Sequence, residues 1–322
     1  MSHDFVDKQS SHERCKIGES KGLCRFKVRQ IVSTREIDSA RCEEMMDYQT
    51  LLIDQDGAVL KITVNRPEVL NAQSRIMREE YDDALAQAAE DEAVHVVIVA
   101  GAGDHFSSGH DLGSPQERED REKRPYPPGM PGRYKRSIDQ NLTNTLRWRE
   151  FPKPTIAQVQ GVCIMGGLML ATSCDLIVAA DNAKFADRTV RWGGPHVQYS
   201  SLPWEIGVRR AKEALFTGDW IEAEEALRLG MVNRVVPLAK LEEETMALAQ
   251  RIALQDPFAL RLAKMSINQM QDEMGFRVSI TSAFQAHALS VAYRQERDGD
   301  ESQRVQGAQR ARNRDATFGD HI

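Results

Sequence analysis

The stretch QGVCIMGGLMLA (residues 160–171) places two adjacent glycines, Gly166 and Gly167, in the middle of an apolar run. Glycine inside a helix is about 1 kcal/mol less favourable than alanine. Two of them in such a run therefore indicate that other atoms come very close to the backbone. This pattern is compatible with a helix packed tightly on its neighbour, with a turn, or with a ligand bound directly to main-chain groups.

Strand and helix patterns alternate around this stretch. Residues 48–67 hold two β-rich runs about an Asp-Gly turn and predict a hairpin. A helical pattern covers residues 71–94, and a buried-strand run follows over 94–103. Further strand patterns stand at 151–161 and, as two short strands about an Asp-Asn turn, at 174–186. The alternation predicts a layered α/β core.

Composition divides the chain into four segments. Residues 1–45 are polar, lack the apolar centre of a secretory signal, and predict a disordered leader. The α/β pattern covers 46–237, three amphipathic helices are predicted in 238–300, and 301–322 form a polar tail. Inside the α/β segment, residues 113–136 are charged and rich in Pro and Gly. They predict a long surface loop of the kind that often borders an active site.

The overall charge and hydropathy exclude two classes of protein. The 322 residues include 48 acidic and 42 basic side chains, which gives a formal net charge of -6. This balance provides no overall positive field for nucleic acid, so no nucleic-acid partner is expected. The longest apolar stretches reach about half of the roughly 20 residues that span a bilayer, so we expect no membrane segment.

Metal and nucleotide cofactors are not expected either. The five cysteines show no CxxC or other zinc-type spacing, which predicts free thiols, a reducing cytoplasmic location and no metal site. The glycine-containing run GAGDHF at residues 101–106 lacks the full GxGxxG and GxxxxGK[ST] motifs. The sequence therefore predicts neither a dinucleotide cofactor nor a P-loop.

Four ordered motifs carry a family resemblance. They are VNRPEVLNAQ (64–73), GAGDHFSSGHDL (101–112), the 152–185 segment that contains the glycine pair, and AKEALFTGDWIEAEEALRLGMVNRVVP (211–237). The chain resembles the crotonase superfamily of enoyl-CoA hydratase/isomerase-type proteins over roughly residues 46–300. The resemblance implies a spiral of ββα units with a helical C-terminal region. It also implies acyl-CoA substrates, no cofactor beyond the CoA thioester itself, and a homotrimer that often pairs into a hexamer.

The resemblance also assigns roles to individual residues. It places two backbone N–H donors, those of His110 and Gly166, on the thioester oxygen, where rigid donors stabilise an enolate. It suggests Arg66 and Lys264 as contacts for the CoA phosphates. The remaining substrate-binding positions that it implies are Ser108, Gly109, Asp111, Leu112, Met165, Gly167, Met169 and Thr189.

The sequence departs from the hydratase pattern at the acid/base positions. Where hydratases of this superfamily carry two glutamates, this chain has Met169 and Thr189, and neither accepts a proton at neutral pH. Asp187 and His196 are the alternative catalytic candidates. The alternative for Asp187 is a structural salt bridge or subunit contact with a nearby arginine, and for His196 an ordinary loop position is favoured over catalysis. Asp111 is better suited to capping a helix.

Three functions are compatible with these observations. The first is an enoyl-CoA hydratase/isomerase-like enzyme of fatty-acid or related acyl-CoA metabolism with unusual acid/base residues. The second is a thioester or C–C bond hydrolase, isomerase or decarboxylase of the same superfamily. The third is a non-catalytic protein that binds acyl-CoA or RNA. An enzyme is favoured because both oxyanion donors are retained among ionisable neighbours.

Overall fold

The computed structural model describes residues 48–298, whose strands form two sheets. The larger sheet has the order β1-β2-β3-β4-β6-β9, with β1 and β2 antiparallel and the other neighbours parallel. The smaller sheet has the order β5-β7-β8. The strands are β1 Leu51–Asp56, β2 Val59–Val64, β3 Val96–Gly101, β4 Thr155–Val159, β5 Val162–Ile164, β6 Leu176–Ala180, β7 Lys184–Ala186, β8 Ile221–Glu222 and β9 Arg234–Val236.

Helices occupy most of the chain between and after these strands. The α/β prediction is confirmed, as is the Asp-Gly hairpin. Gly218 and Gly230 adopt the left-handed conformation at the C-caps of α7 and α8, where glycine is the usual residue. The α-helices are α1 Arg75–Glu90, α2 Pro115–Lys123, α3 Gly129–Ser137, α4 Thr143–Arg149, α5 Gly166–Ser173, α6 Leu202–Glu205, α7 Val208–Thr217, α8 Ala223–Leu229, α9 Leu241–Ala253, α10 Pro257–Glu273 and α11 Phe276–Asp298.

The predicted surface loop at 113–136 is wrong, because this segment forms α2 and most of α3. Ser114 caps α2 by accepting a hydrogen bond from the Glu117 N–H at 3.3 Å, and Pro115 occupies the first turn. Glu117 then pairs with Arg121 at 2.6 Å, one turn later. The sequence Ser-Pro-Gln-Glu matches the capping-box pattern, so a signal for the start of a helix was available, although in the structure Glu117 accepts from the Arg75 N–H rather than from that of Ser114.

The larger sheet is buried on both faces. Alternate residues of β3 point to opposite sides: Val97 and Val99 pack in the cluster that contains α1, while Val96 and Ile98 pack with α9. Burial on both faces explains why this strand has an uninterrupted apolar sequence rather than an alternating one. The sheet thus forms a rigid support for the loops that follow its strands.

A third apolar cluster lies between α5 and the C-terminal helical region. Met169 of α5 packs there with Phe276, Ile280 and Phe284 of α11. Leu142, at the end of a π-helical turn that joins α3 to α4, belongs to the same cluster. The helical C-terminal region therefore covers the helix that begins at the glycine pair. Within residues 48–298, no helix is both long and apolar enough to cross a membrane.

The described residues include only some of the four segments predicted from composition. The predicted leader (1–45) and tail (301–322) lie outside the described residues. The predicted helices of 238–300 are present as α9, α10 and α11.

Candidate active site

The two glycines allow helix α5 to begin in direct contact with the segment that follows β3. A Cβ atom on Gly167 would lie 2.4 Å from the main-chain oxygen of Ser107, and one on Gly166 would lie 3.0 Å from the amide nitrogen of His110. Met165, just before the helix, has a φ of 52°, which is uncommon for a residue other than glycine. Bare backbone is needed here because two chain segments meet at van der Waals distance.

The amides of His110 and Gly166 lie side by side at this contact. Gly109, with a φ of 95°, brings the segment so close that a Cβ on it would lie 2.8 Å from the Gly166 nitrogen. Gln73 holds the two parts together: its N–H donates to the Gly109 oxygen at 2.7 Å, and its side-chain Nε2 donates to the Gly166 oxygen at 2.9 Å. Among residues 48–298, neither the His110 nor the Gly166 N–H has a hydrogen-bond acceptor.

This arrangement is suited to a partly negative oxygen. Gly166 is the first residue of α5, and the N–H groups of a first helical turn have no acceptor within the helix. The positive end of the helix dipole adds to the attraction. The prediction that these two amides act together is thus compatible with their position.

The imidazole of His110 is neutral in this setting. Burial lowers its pKa well below the ordinary value, and the charge of Arg78 acts in the same direction. Its Nε2 is buried without a hydrogen-bond partner in the described part of the chain. The side chain lines the interior beside its own amide, and it does not serve as a cation at neutral pH.

The two positions that differ from the hydratase pattern lie in different surroundings. Met169 is buried, one turn into α5, in the apolar cluster with α11. Thr189 is also buried and begins a short 3₁₀ helix, where its hydroxyl donates to Asp187 Oδ1 at 2.5 Å. Neither position presents a carboxylate to the paired amides.

Both carboxylate oxygens of Asp187 are occupied by protein donors. Oδ1 accepts from the Thr189 N–H at 3.0 Å as well as from its hydroxyl, and Oδ2 accepts from the Val197 N–H at 2.8 Å. Burial raises the pKa of Asp187, although these hydrogen bonds oppose the shift. The partners are amides and a hydroxyl rather than the arginine that the salt-bridge interpretation requires. Asp187 therefore ties the 3₁₀ turn to the loop at residue 197.

His196 lies half-buried in that same loop. Its Nδ1 is 2.9 Å from the Val197 oxygen. Its own main-chain oxygen accepts a 2.6 Å hydrogen bond from Nδ1 of His287 on α11. Burial lowers the pKa of His287 to about 4, so this donor is neutral and holds the loop against the C-terminal helix.

The two predicted phosphate contacts are engaged elsewhere. Arg66 is buried and pairs with Asp111 at 2.9 Å, and Lys264 pairs with Asp175 at 2.8 Å. The charge of Arg66 is balanced inside the protein by Asp111, and contacts of Arg66 and Lys264 with CoA phosphates stay predictions.

The residues next to His110 differ in their burial and in their hydrogen bonds. The expectation that Asp111 caps a helix is wrong, because Ser114 is the N-cap of α2; Asp111 instead accepts from the Gly113 and Ser114 N–H groups at 2.9 and 2.7 Å, in the turn that precedes the helix. Burial acts to raise its pKa, but these bonds and Arg66 hold the pKa below the ordinary value. Ser108 is half-buried, while the side chain of Leu112 is 57% exposed.

Sequence reasoning missed two residues that shape this region. Gln73 closes the VNRPEVLNAQ motif and links Gly109 to Gly166, a role that no local pattern indicates. Arg78 is 5% exposed on α1. It stands three residues before Tyr81 and seven before Leu85, so it shares the face of α1 on which these buried apolar residues lie. A cation on that face is a signal that was present in the sequence.

The described residues hold no group of three or more His, Cys, Asp or Glu side chains arranged to bind a metal ion. Cys163 and Cys174 are free thiols, and burial raises the pKa of Cys174 to about 12. The other three cysteines precede the described residues.

Comparison with known proteins identifies the family. The profile of the enoyl-CoA hydratase/isomerase family matches residues 54–299. EchA13 of Mycobacterium tuberculosis, provisionally named an enoyl-CoA hydratase, is 41% identical over 262 residues that cover 78% of this chain and 81% of EchA13. The crotonyl-CoA hydratase of Syntrophomonas wolfei is 31% identical over 262 residues, covering 79% of this chain and 94% of that protein.

Solved structures agree with this result. The crystal structure of a probable enoyl-CoA hydratase from Mycobacterium smegmatis matches with a TM-score of 0.73 and 42% identity, over 78% of this chain and 98% of that one. The predicted crotonase fold, with its helical C-terminal region, is thereby confirmed. The chain belongs to the enoyl-CoA hydratase/isomerase family of the crotonase superfamily.

Proposed function

We propose that this protein binds an acyl-CoA thioester with its carbonyl oxygen between the N–H groups of His110 and Gly166 and stabilises the enolate. The observation that carries the proposal is the close approach of these two amides, neither of which has an acceptor among the described residues. Membership of the enoyl-CoA hydratase/isomerase family supports the acyl-CoA substrate class. No further cofactor is part of the proposal.

The two amides would act through charge that develops during the reaction. When a base removes the α-proton of the thioester, negative charge moves onto the carbonyl oxygen. Donors already held in place need no reorganisation at that moment, and one such donor contributes about 3 kcal/mol. Gly109 and Gln73 keep the two amides in position.

The acid/base step is proposed to differ from that of a two-glutamate hydratase. Met169 and Thr189 provide no carboxylate to orient and deprotonate water. Asp187 and His196 remain the candidates for proton transfer, although the hydrogen bonds of Asp187 give it a positioning role as well. An isomerase, decarboxylase or hydrolase reaction of the superfamily is the second candidate, favoured by the apolar surroundings of Met169.

Hydration of crotonyl-CoA tests the proposal. We expect the wild-type protein to bind this thioester but to hydrate it about 10²-fold or more slowly than a two-glutamate hydratase, because general-base catalysis is worth at least that factor. Installing both carboxylates with Met169→Glu and Thr189→Glu should raise the hydration rate. Absorbance of the enoyl thioester follows the reaction, and Met169→Glu alone is the matched control.

Two outcomes would contradict this account. Rapid hydration by the wild type that is indifferent to Asp187→Asn and His196→Ala would mean that another group activates the water. Salt-sensitive binding of RNA, with no affinity for any CoA thioester, would instead support the nucleic-acid alternative.

A trimer or hexamer is also part of the proposal. The C-terminal helices leave large apolar side chains exposed on the isolated chain, which is typical of a surface that another subunit covers. Light scattering should give a mass near a multiple of three times 36.3 kDa. A stable monomer at micromolar concentration would contradict it. The exposed residues are Leu254, Phe258, Ile267, Met270, Met274, Val278 and Leu289.

A cytoplasmic location belongs to the same proposal. The thiols of Cys163 and Cys174 are free, which is typical of proteins in reducing compartments.

A further inference from the structure

Arg78 is a buried cation that has no acceptor for one of its terminal nitrogens. The residue is 5% exposed, and its Nη2 has no hydrogen-bond partner in the described part of the chain. Burial lowers the pKa of Arg78 to about 10, so the guanidinium still carries its charge at neutral pH. An unpartnered buried charge is strongly unfavourable. A ligand that supplies an anion would remove this cost.

The carboxylates that interact electrostatically with Arg78 are already paired with other cations. Asp111, Glu117 and Asp82 are the acids whose charges act on Arg78 or are influenced by it. Each of these acids forms a salt bridge with another arginine. Arg78 therefore has no salt bridge with any of the three. The pairs are Asp111–Arg66 at 2.9 Å, Glu117–Arg121 at 2.6 Å and Asp82–Arg147 at 2.5 Å.

Other buried polar atoms without partners lie on the elements around Arg78. Gln140 Nε2 and Asn141 Oδ1, on the π-helical turn, are both unpartnered in side chains that are 9% exposed. The π-helical turn leads into α4, and Asn144 there donates to Asp82 on α1 at 3.0 Å. A π-helical turn with buried polar side chains is often found at a functional site. This group of side chains is therefore suited to a polar ligand.

The same group borders the paired amides. His110 and Asn141 lie close together, since a hydrogen bond with the Asn141 side chain opposes the lowering of the His110 pKa. Gln73 is hydrogen-bonded to the residues on both sides of His110, and Ser74, the next residue, is the N-cap of α1, which carries Arg78. The charge of Arg78 acts to lower the pKa of the His110 imidazole, so the guanidinium lies close to the side chain beside the paired amides. A short acyl group that extends from these amides would therefore lie in the same region as Arg78.

We propose that Arg78 binds a carboxylate at the far end of the acyl group, so that the preferred substrates are CoA thioesters of short dicarboxylic acids. The inference rests on the proposed function, because the thioester must lie at His110 and Gly166 for its acyl group to point toward Arg78. The planar guanidinium suits a carboxylate, with which it forms two parallel hydrogen bonds.

The test compares two five-carbon thioesters that differ in their terminal charge. Titration calorimetry with the full-length protein should show that glutaryl-CoA binds about ten to a hundred times more tightly than valeryl-CoA, as expected for hydrogen bonds to a charged group. Arg78→Met should abolish this preference and leave the affinity for valeryl-CoA within about threefold of the wild type. Arg78→Lys should retain part of the preference, because it keeps the charge but not the fork geometry.

The outcomes separate this inference from the proposed function. If valeryl-CoA binds and glutaryl-CoA binds no better, the inference is wrong and the proposed function stands. If neither thioester binds, both are wrong. An Arg78→Met variant that weakens both thioesters equally would assign Arg78 a purely structural role. The comparison of glutaryl-CoA with valeryl-CoA uses the wild-type protein alone. The inference can therefore be rejected even if Arg78→Met does not fold.

Discussion

Gly166→Ala is expected to lower turnover of an acyl-CoA substrate by about 10²-fold or more, the usual effect of losing one oxyanion donor. The new Cβ would lie 3.0 Å from the His110 nitrogen and 3.1 Å from its Cε1. It would therefore occupy the space in which we propose that the thioester oxygen sits. The added methyl group blocks the approach of the oxygen to both amides.

Carbonyl polarisation gives a readout that does not depend on the acid/base residues. A conjugated enoyl-CoA thioester should show a red shift of its absorbance when the wild-type protein binds it, because two hydrogen bonds draw electron density onto the oxygen. Gly166→Ala should lose most of that shift. Steady-state kinetics on any thioester that the protein converts would give the accompanying change in kcat.

Gly230→Ala is the matched control. This variant also replaces a glycine by alanine at a helix end. A Cβ at position 230 meets nothing within 4 Å, so the only strain arises from the φ of 87°. We expect a loss of about 1 kcal/mol in unfolding free energy and unchanged kcat. Activity of Gly166→Ala within threefold of the wild type, with the spectral shift intact, would rule out the assignment of Gly166.

Asp187→Ala is expected to lower the free energy of unfolding by about 3 kcal/mol or more. The substitution leaves the N–H groups of Thr189 and Val197 buried without an acceptor, and each such group costs about 1–3 kcal/mol. Asp187→Asn should cost less, because its amide oxygen can still accept from Thr189 while its NH₂ faces the Val197 N–H. Urea denaturation measures both variants.

Asp187→Asn also separates positioning from proton transfer. If Asp187 only positions the loop, the variant should lose stability and thioester affinity together. Loss of turnover with stability and affinity intact would instead show that Asp187 is the base. Asp175→Asn is the control, because Asp175 likewise accepts from a backbone N–H and a threonine hydroxyl, those of Thr155 at 2.8 and 3.0 Å. Asp175 directly precedes β6 and is bonded to the first residue of β4, so the variant should lose stability without losing turnover.

Elements with short-range causes are predictable from the order of residues. The Asp-Gly turn predicts the β1–β2 hairpin, and the glycines at 218 and 230 predict the ends of α7 and α8, because each depends on the conformation of a few neighbouring residues. The error at 113–136 has the same origin. Charge and proline content suggest a loop there, but the cap at Ser114 and the ion pairs one turn apart stabilise a helix.

The sequence alone also determines the family, since four ordered motifs identify it and the comparisons with known proteins confirm it. The motifs name His110 and Gly166 as partners although 56 positions separate them in the sequence. The glycine pair further predicts that something approaches the backbone at that point. The sequence does not predict which atoms these are. The structure shows that they are the Ser107 oxygen and the His110 nitrogen.

Three features depend on the tertiary structure. Gln73 joins the two halves of the site, Asp187 uses both carboxylate oxygens to hold a loop, and Arg78 lies inside with the acids that interact with it already paired. In each case the outcome depends on which donors and acceptors meet when segments far apart in the chain pack together. A buried polar atom must find its partner within about 3 Å. The packing of the sheet and helices determines which atoms come within that distance. Local sequence patterns therefore do not predict these partners.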